Sequence, residues 1–241
     1  MRIALISDIH GNEVAFKAVT KDIKQVGVDQ IVFLGDIVTL GPLPISVLQM
    51  IRDLDCSCIL GNHDAFMIDP DLIHTYTEAP IIVEAVDWCR NQLSKEDLDF
   101  IHTFQTCIEI VYNRESKLLF FHGSPRDHME NILSTTPSNE LEQILGGNTA
   151  IVMAGGHTHV QMLRQHKGNL IVNPGSVGLP FKEFAHGRPP EIMEHAEYAI
   201  VELEQKHVDV SLRRVQFNQE DFWKTIENSK SPVQSLFPRQ K

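Results

Sequence analysis

Positive charge is scarce in this sequence: lysine and arginine number 21 against 32 aspartates and glutamates, a formal net charge of −11 over 241 residues. Such a chain lacks the basic surface that neutralises a phosphate backbone, which argues against a sequence-specific nucleic-acid partner. Cysteine is sparse as well. The four residues, Cys56, Cys58, Cys89 and Cys107, lack zinc-finger spacing and read as reduced structural thiols. Long apolar runs are also missing. The opening MRIALISDIH carries only four consecutive apolar residues before Ser7 and Asp8, too few for a signal-peptide core, and no run approaches membrane-spanning length. The expectation is a cytoplasmic protein without a membrane partner. No repeat, low-complexity stretch or heptad speaks to oligomeric state.

What the chain does have is one arrangement used five times. A short aliphatic run ends at once in a polar residue able to bind a metal: Ile3-Ala4-Leu5-Ile6 before Asp8 and His10, Ile31-Val32-Phe33-Leu34 before Asp36, and Cys58-Ile59-Leu60 before Asn62, His63 and Asp64. The runs ending at Phe121 and Ala154 lead into His122 and into His157-Thr158-His159. Continuous apolar runs bounded by glycine predict strands buried on both faces. Residues 12–26, with Asn12 as N-cap and a Val19, Ile23, Val26 stripe, predict a helix that makes a β-α-β unit with residues 28–34, and a helix over 43–54 repeats the unit. In open α/β sheets, ligand sites form outside the carboxyl ends of the strands, where these clusters fall. Asn173-Pro174-Gly175-Ser176 reads as a rigid loop bordering the site.

The ordered set Asp8-x-His10, Gly35-Asp36, Gly61-Asn62-His63-Asp64, His122 and Gly155-x-His157-x-His159 resembles the calcineurin-like metallophosphoesterase superfamily, over residues 1 to about 180. The likeness is nearest to its small bacterial and archaeal phosphoesterases, which also carry segments like HGSPRD and NPGSVG. The resemblance implies an α/β fold, a four-layer α-β-β-α sandwich, here with a helical insertion. It also implies two divalent transition-metal ions: Asp8, His10 and His159 on one, Asn62, His122 and His157 on the other, and Asp36 bridging both. His63 takes the position of the family's catalytic histidine, with Asp64 beside it to orient the ring or favour its protonated form.

The chemistry suits the residues. A carboxylate with two oxygens can join two cations, and with only two carboxylates in the set the site keeps about +2 of charge to attract a phosphoryl group. The implied nucleophile is a metal-bridging hydroxide attacking phosphorus in line, with His63 protonating the leaving oxygen as general acid. The donor mix favours Mn²⁺, Fe or Zn²⁺ over a Mg²⁺ or Ca²⁺ cage. The expected partner is a small phosphorylated substrate, a phosphodiester or nucleotide-type phosphate. The alternatives are a non-enzymatic scaffold of the same fold, or a phosphomonoesterase or protein phosphatase; a nuclease lacks a basic track.

A single domain is expected over residues 1–217, with a mostly helical, cap-like insertion at about 65–106 that either overhangs the site or packs on the sandwich. In that segment Ile82, Val86, Cys89 and Leu93 share a face and Ser94-x-x-Asp97 marks a helix start. Arg126 is a candidate phosphate-binding side chain, with pairing to a local carboxylate as the competing reading. Residues 196–203 and 208–215 alternate as a closing hairpin joined near Gln205 and Lys206, residues 181–194 form a second irregular segment, and 218–241 hold a short helix and a polar tail.

Overall fold

The protein, here a computed structural model, is described over residues 1–114, 116–184, 188–205, 207–232 and 234. Lys206 of the expected hairpin joint, residues 185–187 of the second irregular segment, and residues 233 and 235–241 of the tail lie outside this range.

The first strand, Arg2–Ile6 (β1), is aliphatic on both faces, and alternate residues divide its duties. Ala4 and Ile6 enter a core under helices, while Ile3 and Leu5 enter a core shared with a second sheet. Glu13–Val26 (α1) starts at Asn12, whose Oδ1 accepts the Ala15 N–H at 3.0 Å, and buries Ala15, Phe16, Val19 and Ile23. Gln30–Phe33 (β2) pairs parallel with β1. Pro44–Leu54 (α2), opened by Pro44, adds Val47, Leu48 and Ile51 to the helix-side core.

Ser57–Cys58 (β3) pairs parallel with β2 but is shorter than the apolar run suggests, because Ile59 bridges instead to Gln105. Asn62–Ile68 (α3), a 3-10 turn at Pro70–Leu72, Ile73–Tyr76 (α4), Pro80–Arg90 (α5) and Lys95–Ile101 (α6) follow. The last begins with the Ser94 and Asp97 capping box. Phe66, Met67, Ile73, Val86, Cys89 and Ile101 join the same core as α1 and α2. This helical segment is thus packed into the first helix layer, with the first turn of α3 and the Tyr76 end of α4 beside the histidines at the strand termini.

Ile108–Val111 (β4), Lys117–Phe120 (β5), Ser138–Leu145 (α7), Val152–Ala154 (β6), Met162–His166 (β7) and Asn169–Asn173 (β8) build the second half. Their sheet runs β4-β5-β6-β8-β7, with β5, β6 and β8 parallel and the edge strands antiparallel. Leu118 and Phe120 face the first sheet, whereas Leu119 and Phe121 share a core with Leu141, Ile144 and Leu145 of α7. His195–Glu204 (β9) and His207–Gln216 (β10) form the long hairpin that completes the first sheet in the order β10-β9-β1-β2-β3. Gln219–Ser229 (α8) closes the described chain, with Phe222 and Ile226 against Leu179 and Ala85.

The layers are therefore helix, sheet, sheet, helix, an α/β sandwich. Its parallel strands send their carboxyl ends into one region, where the polar clusters lie. Among the described residues no helix is long and apolar enough to cross a membrane.

Candidate active site

The loops after β1, β2, β5 and β6 bring two sets of donor atoms together: Asp8, His10 and His159 in one, Asp36, His122 and His157 in the other, the atoms of each set within 4.8 Å of one another. All are buried except the half-buried His157. Asn62, at the start of α3, joins the second set, its Oδ1 lying 3.1 Å from His122 Nε2 and 2.9 Å from His157 Nδ1. Asp36 stands between the sets. Its Oδ2 is 3.7 Å from His10 Nε2 and 3.4 Å from His122 Nε2, while its Oδ1 accepts the His63 N–H at 2.8 Å.

Holding these side chains inward requires unusual backbone. Asp8, His10, Asp36, His157 and His159 all have φ between 46° and 66°, a left-handed conformation that costs a non-glycine residue about 1–2 kcal/mol. The glycines beside them are set by close approach. A Cβ on Gly61 would stand 2.1 Å from Asp36 Oδ1, and one on Gly156 would stand 2.6 Å from Asp8 Oδ2.

Each histidine of the two sets commits one ring nitrogen to a main-chain carbonyl. His10 Nδ1–H donates to Val38 O at 3.2 Å, His159 Nδ1–H to Leu179 O at 2.7 Å, His122 Nδ1–H to Leu34 O at 2.7 Å, and His157 Nε2–H to Met129 O at 3.1 Å. The remaining nitrogens are then acceptors, and they face one another or other acceptors: His10 Nε2 and His159 Nε2 lie 3.1 Å apart, and His122 Nε2, His157 Nδ1 and Asn62 Oδ1 converge. Asp8 Oδ1 is buried without a hydrogen-bond partner.

Positive charge must occupy both places. The proton affinities report the same demand. Burial opposes the charged form at His122 and His159, yet Asp36 pulls His122 up to about 9 and Asp8 raises His159. Burial, with the neighbouring imidazoles, holds His10 and His157 down at about 3. A divalent cation in each set fits this donor chemistry, and the carbonyl bonds orient the ligand rings as outer partners do in metal sites.

His63 lies beside the first set, its ring 5.0 Å from that of His10. Its Nδ1 is 2.7 Å from Thr39 Oγ1, and burial pushes the ring down to about 4 although Asp36 opposes this. Asp64 does something other than its sequence neighbour suggests. Its carboxylate accepts the N–H groups of Asp36 at 2.7 Å, Ile37 at 2.9 Å and Gly61 at 3.1 Å, and makes no bond to the His63 ring. Successive residues of a helix point about 100° apart, so His63 faces the donor sets while Asp64 faces the loop behind Asp36. Burial and the Asp36 charge push the Asp64 carboxyl up to about 7 against those three N–H groups.

The model of the calcineurin-like phosphoesterase superfamily domain matches residues 1–206. The chain belongs to that superfamily. A crystal structure of a metallophosphoesterase from Sphaerobacter thermophilus is similar, with a TM-score of 0.72, 27% identity and 98% of each chain covered. An uncharacterized protein of Methanocaldococcus jannaschii is 28% identical over 236 residues, 95% of this chain and 93% of its own. A symmetrical bis(5′-nucleosyl)-tetraphosphatase of Erwinia tasmaniensis is 25% identical over 162 residues, spanning 62% of this chain and 54% of the relative. The calcineurin-like chain is accordingly a hydrolase, a metallophosphoesterase.

Around the donor sets of this phosphoesterase, loop 173–179 buttresses the first one. Ser176 Oγ donates to Asp8 O at 2.7 Å, Gly178 N–H donates to Asp8 O at 3.0 Å, and Asn173 Nδ2 donates to Gly156 O at 2.6 Å. Of the two readings open for Arg126, a phosphate or a local carboxylate, the second is the one seen: Nε donates to Glu130 Oε2 at 2.9 Å, Nη2 reaches Glu130 Oε1, and Nη1 donates to Gln143 O at 3.3 Å. Thr39 and Tyr76 were invisible as site residues in the sequence. Thr39 follows Asp36 by three residues in a loop without a strand-end pattern, and Tyr76 belongs to the helical segment, yet its ring lies 5.9 Å from that of His63.

Proposed function

We propose that this phosphoesterase is a dinuclear enzyme that hydrolyses a small phosphodiester or nucleotide-type phosphate by direct attack of water, with His63 as general acid. The observation that carries the reading is Asp36: one carboxylate oxygen within 4 Å of a ligand nitrogen in each donor set. Asp8, His10 and His159 would hold one cation and Asn62, His122 and His157 the other, with Asp36 shared. The mixture of imidazole, carboxylate and amide donors suits Mn²⁺, Fe or Zn²⁺. When bound, the cations supply activation of a water and neutralisation of the phosphoryl oxygens.

The chain's own residues do the rest. With its hydroxyl donating to His63 Nδ1, Thr39 leaves the ring proton on Nε2, the atom free to serve the departing oxygen. Burial keeps that ring neutral at rest, and incoming phosphoryl oxygens raise its hold on a second proton, so that it delivers one to the leaving group. Asp64 fixes the main chain on both sides of Asp36. The tetraphosphatase relatives favour a nucleotide-type substrate, and the four free thiols suit a reducing cytoplasm. The test is turnover of a chromogenic phosphate monoester and its matching diester by the Mn²⁺-loaded protein, beside His63→Ala. Turnover that collapses in the variant supports the reading; equal rates in the two proteins overturn His63 as the acid.

A further inference from the structure

Among the described residues few large apolar side chains stand in solvent: Ile45, Tyr76, Val111, Leu163 and Leu212. Of these, Tyr76 belongs to the site. It ends α4, is 45% exposed, and its ring lies 5.9 Å from that of His63 and 6.3 Å from that of His157, tilted by 77° and 60°. Phe66 supports it from the core at 5.8 Å, and buried Ile73 pins the same short helix. The ring therefore stands between the proposed proton donor and a ligand of the second set, with much of its surface open. Among the described residues the cations of the loops after β5 and β8 are engaged with carboxylates: Arg126 with Glu130, Lys182 with Glu191, and Arg188 with Glu183. What Tyr76 offers a substrate is a π face.

We propose that Tyr76 is the specificity-determining residue of this phosphoesterase, its ring stacking on the planar base of a nucleoside esterified to the phosphoryl group. The inference rests on the phosphoesterase reading above. Geometry makes the assignment: a phosphorus held between the two donor sets lies beside His63, and a substituent leaving past His63 passes the exposed tyrosine ring. Flat aromatic bases gain from such a contact whatever their hydrogen-bonding edge, and a sugar alone gains little.

The test compares two competitive ligands that differ only in the base, adenosine 5′-monophosphate and ribose 5-phosphate. Inhibition of chromogenic ester turnover is measured on the Mn²⁺-loaded wild type, Tyr76→Phe, Tyr76→Leu and Tyr76→Ala, and direct binding is measured by calorimetry on Mn²⁺-loaded His63→Ala with and without the Tyr76 changes. The expected result is a preference for the nucleotide of about tenfold in wild type and Tyr76→Phe, falling to within about twofold in Tyr76→Leu and Tyr76→Ala. Tyr76→Leu keeps the apolar bulk, so a collapsed fold cannot mimic the loss of the π face. Wild-type turnover with a preference that no Tyr76 change alters overturns the stacking role alone. A loss in Tyr76→Phe equal to that in Tyr76→Ala assigns the effect to the hydroxyl and also overturns it. Absence of both turnover and ligand binding in the loaded wild type removes the phosphoesterase reading and this inference with it.

Discussion

His10 and His159 meet nitrogen to nitrogen: their Nε2 atoms are 3.1 Å apart while their Nδ1–H groups are spent on the carbonyls of Val38 and Leu179. Two neutral imidazoles so placed oppose lone pairs, a contact that a cation turns from repulsive to binding. A proton on His159, held there by Asp8, can bridge the two nitrogens, and a cation that takes its place binds both rings and the Asp8 carboxylate at once. Thermal unfolding of the chelated protein should rise by several degrees on adding Mn²⁺ in large excess over its Kd, since a ligand at about 100 times Kd adds about 2.7 kcal/mol. An unchanged midpoint across a Mn²⁺ titration would count against the site.

Asp36→Asn should lose both ions together, because the one shared carboxylate contacts both sets, whereas His159→Ala should lose the ion of the first set and keep much of the second. Elemental analysis after gel filtration distinguishes the two patterns. Loss of a single ion in Asp36→Asn would mean that the residue serves one set alone.

Thr39→Val replaces a hydroxyl 2.7 Å from His63 Nδ1 with a methyl of similar size. The ring then loses the partner that sets its tautomer, and kcat should fall by about tenfold to a hundredfold, within the range general acid catalysis contributes. KM and metal content should hold. A fall in metal content of the same size would place Thr39 in the support of the ligands instead.

Asp64→Ala removes the acceptor of three buried N–H groups, on Asp36, Ile37 and Gly61. Destabilisation on the order of 3 kcal/mol is expected from orphaned buried donors, read as a lower urea midpoint in the metal-free protein. His63→Ala, by contrast, should leave that midpoint near wild type. Equal shifts in the two variants would contradict the division between a structural Asp64 and a chemical His63.

Arg126→Ala should change kcat/KM by less than about threefold, since an exposed guanidinium already paired to Glu130 contributes little beyond a surface ion pair. Steady-state kinetics on the preferred ester measures this directly, and a large rise in KM would return Arg126 to the substrate.

Much of the fold is legible in residue order, and the reason is local. The runs at Ile3, Ile31, Leu118 and Ile151 are buried on both faces, so they are continuous and end abruptly, and their polar ends fall where parallel strands release the chain. The hairpin of β9 and β10 shows because each strand is ten residues long. β7 gives no such signal: Met162–His166 is an edge strand whose alternate residues are open to water, and α7 is only eight residues. Asp64 misleads because adjacency along a helix means different faces. Residue order alone leaves Arg126 between phosphate and carboxylate, and Glu130, four residues away, takes it. Tyr76 and Thr39 acquire their place only when distant segments close over the strand ends.

The most direct measurement is anomalous scattering from crystals of the Mn²⁺-loaded protein. The account predicts two peaks on either side of Asp36 Oδ2, one among Asp8, His10 and His159 and one among Asn62, His122 and His157. A single peak, or ions lying away from these side chains, would contradict the shared dinuclear centre on which the proposed chemistry depends.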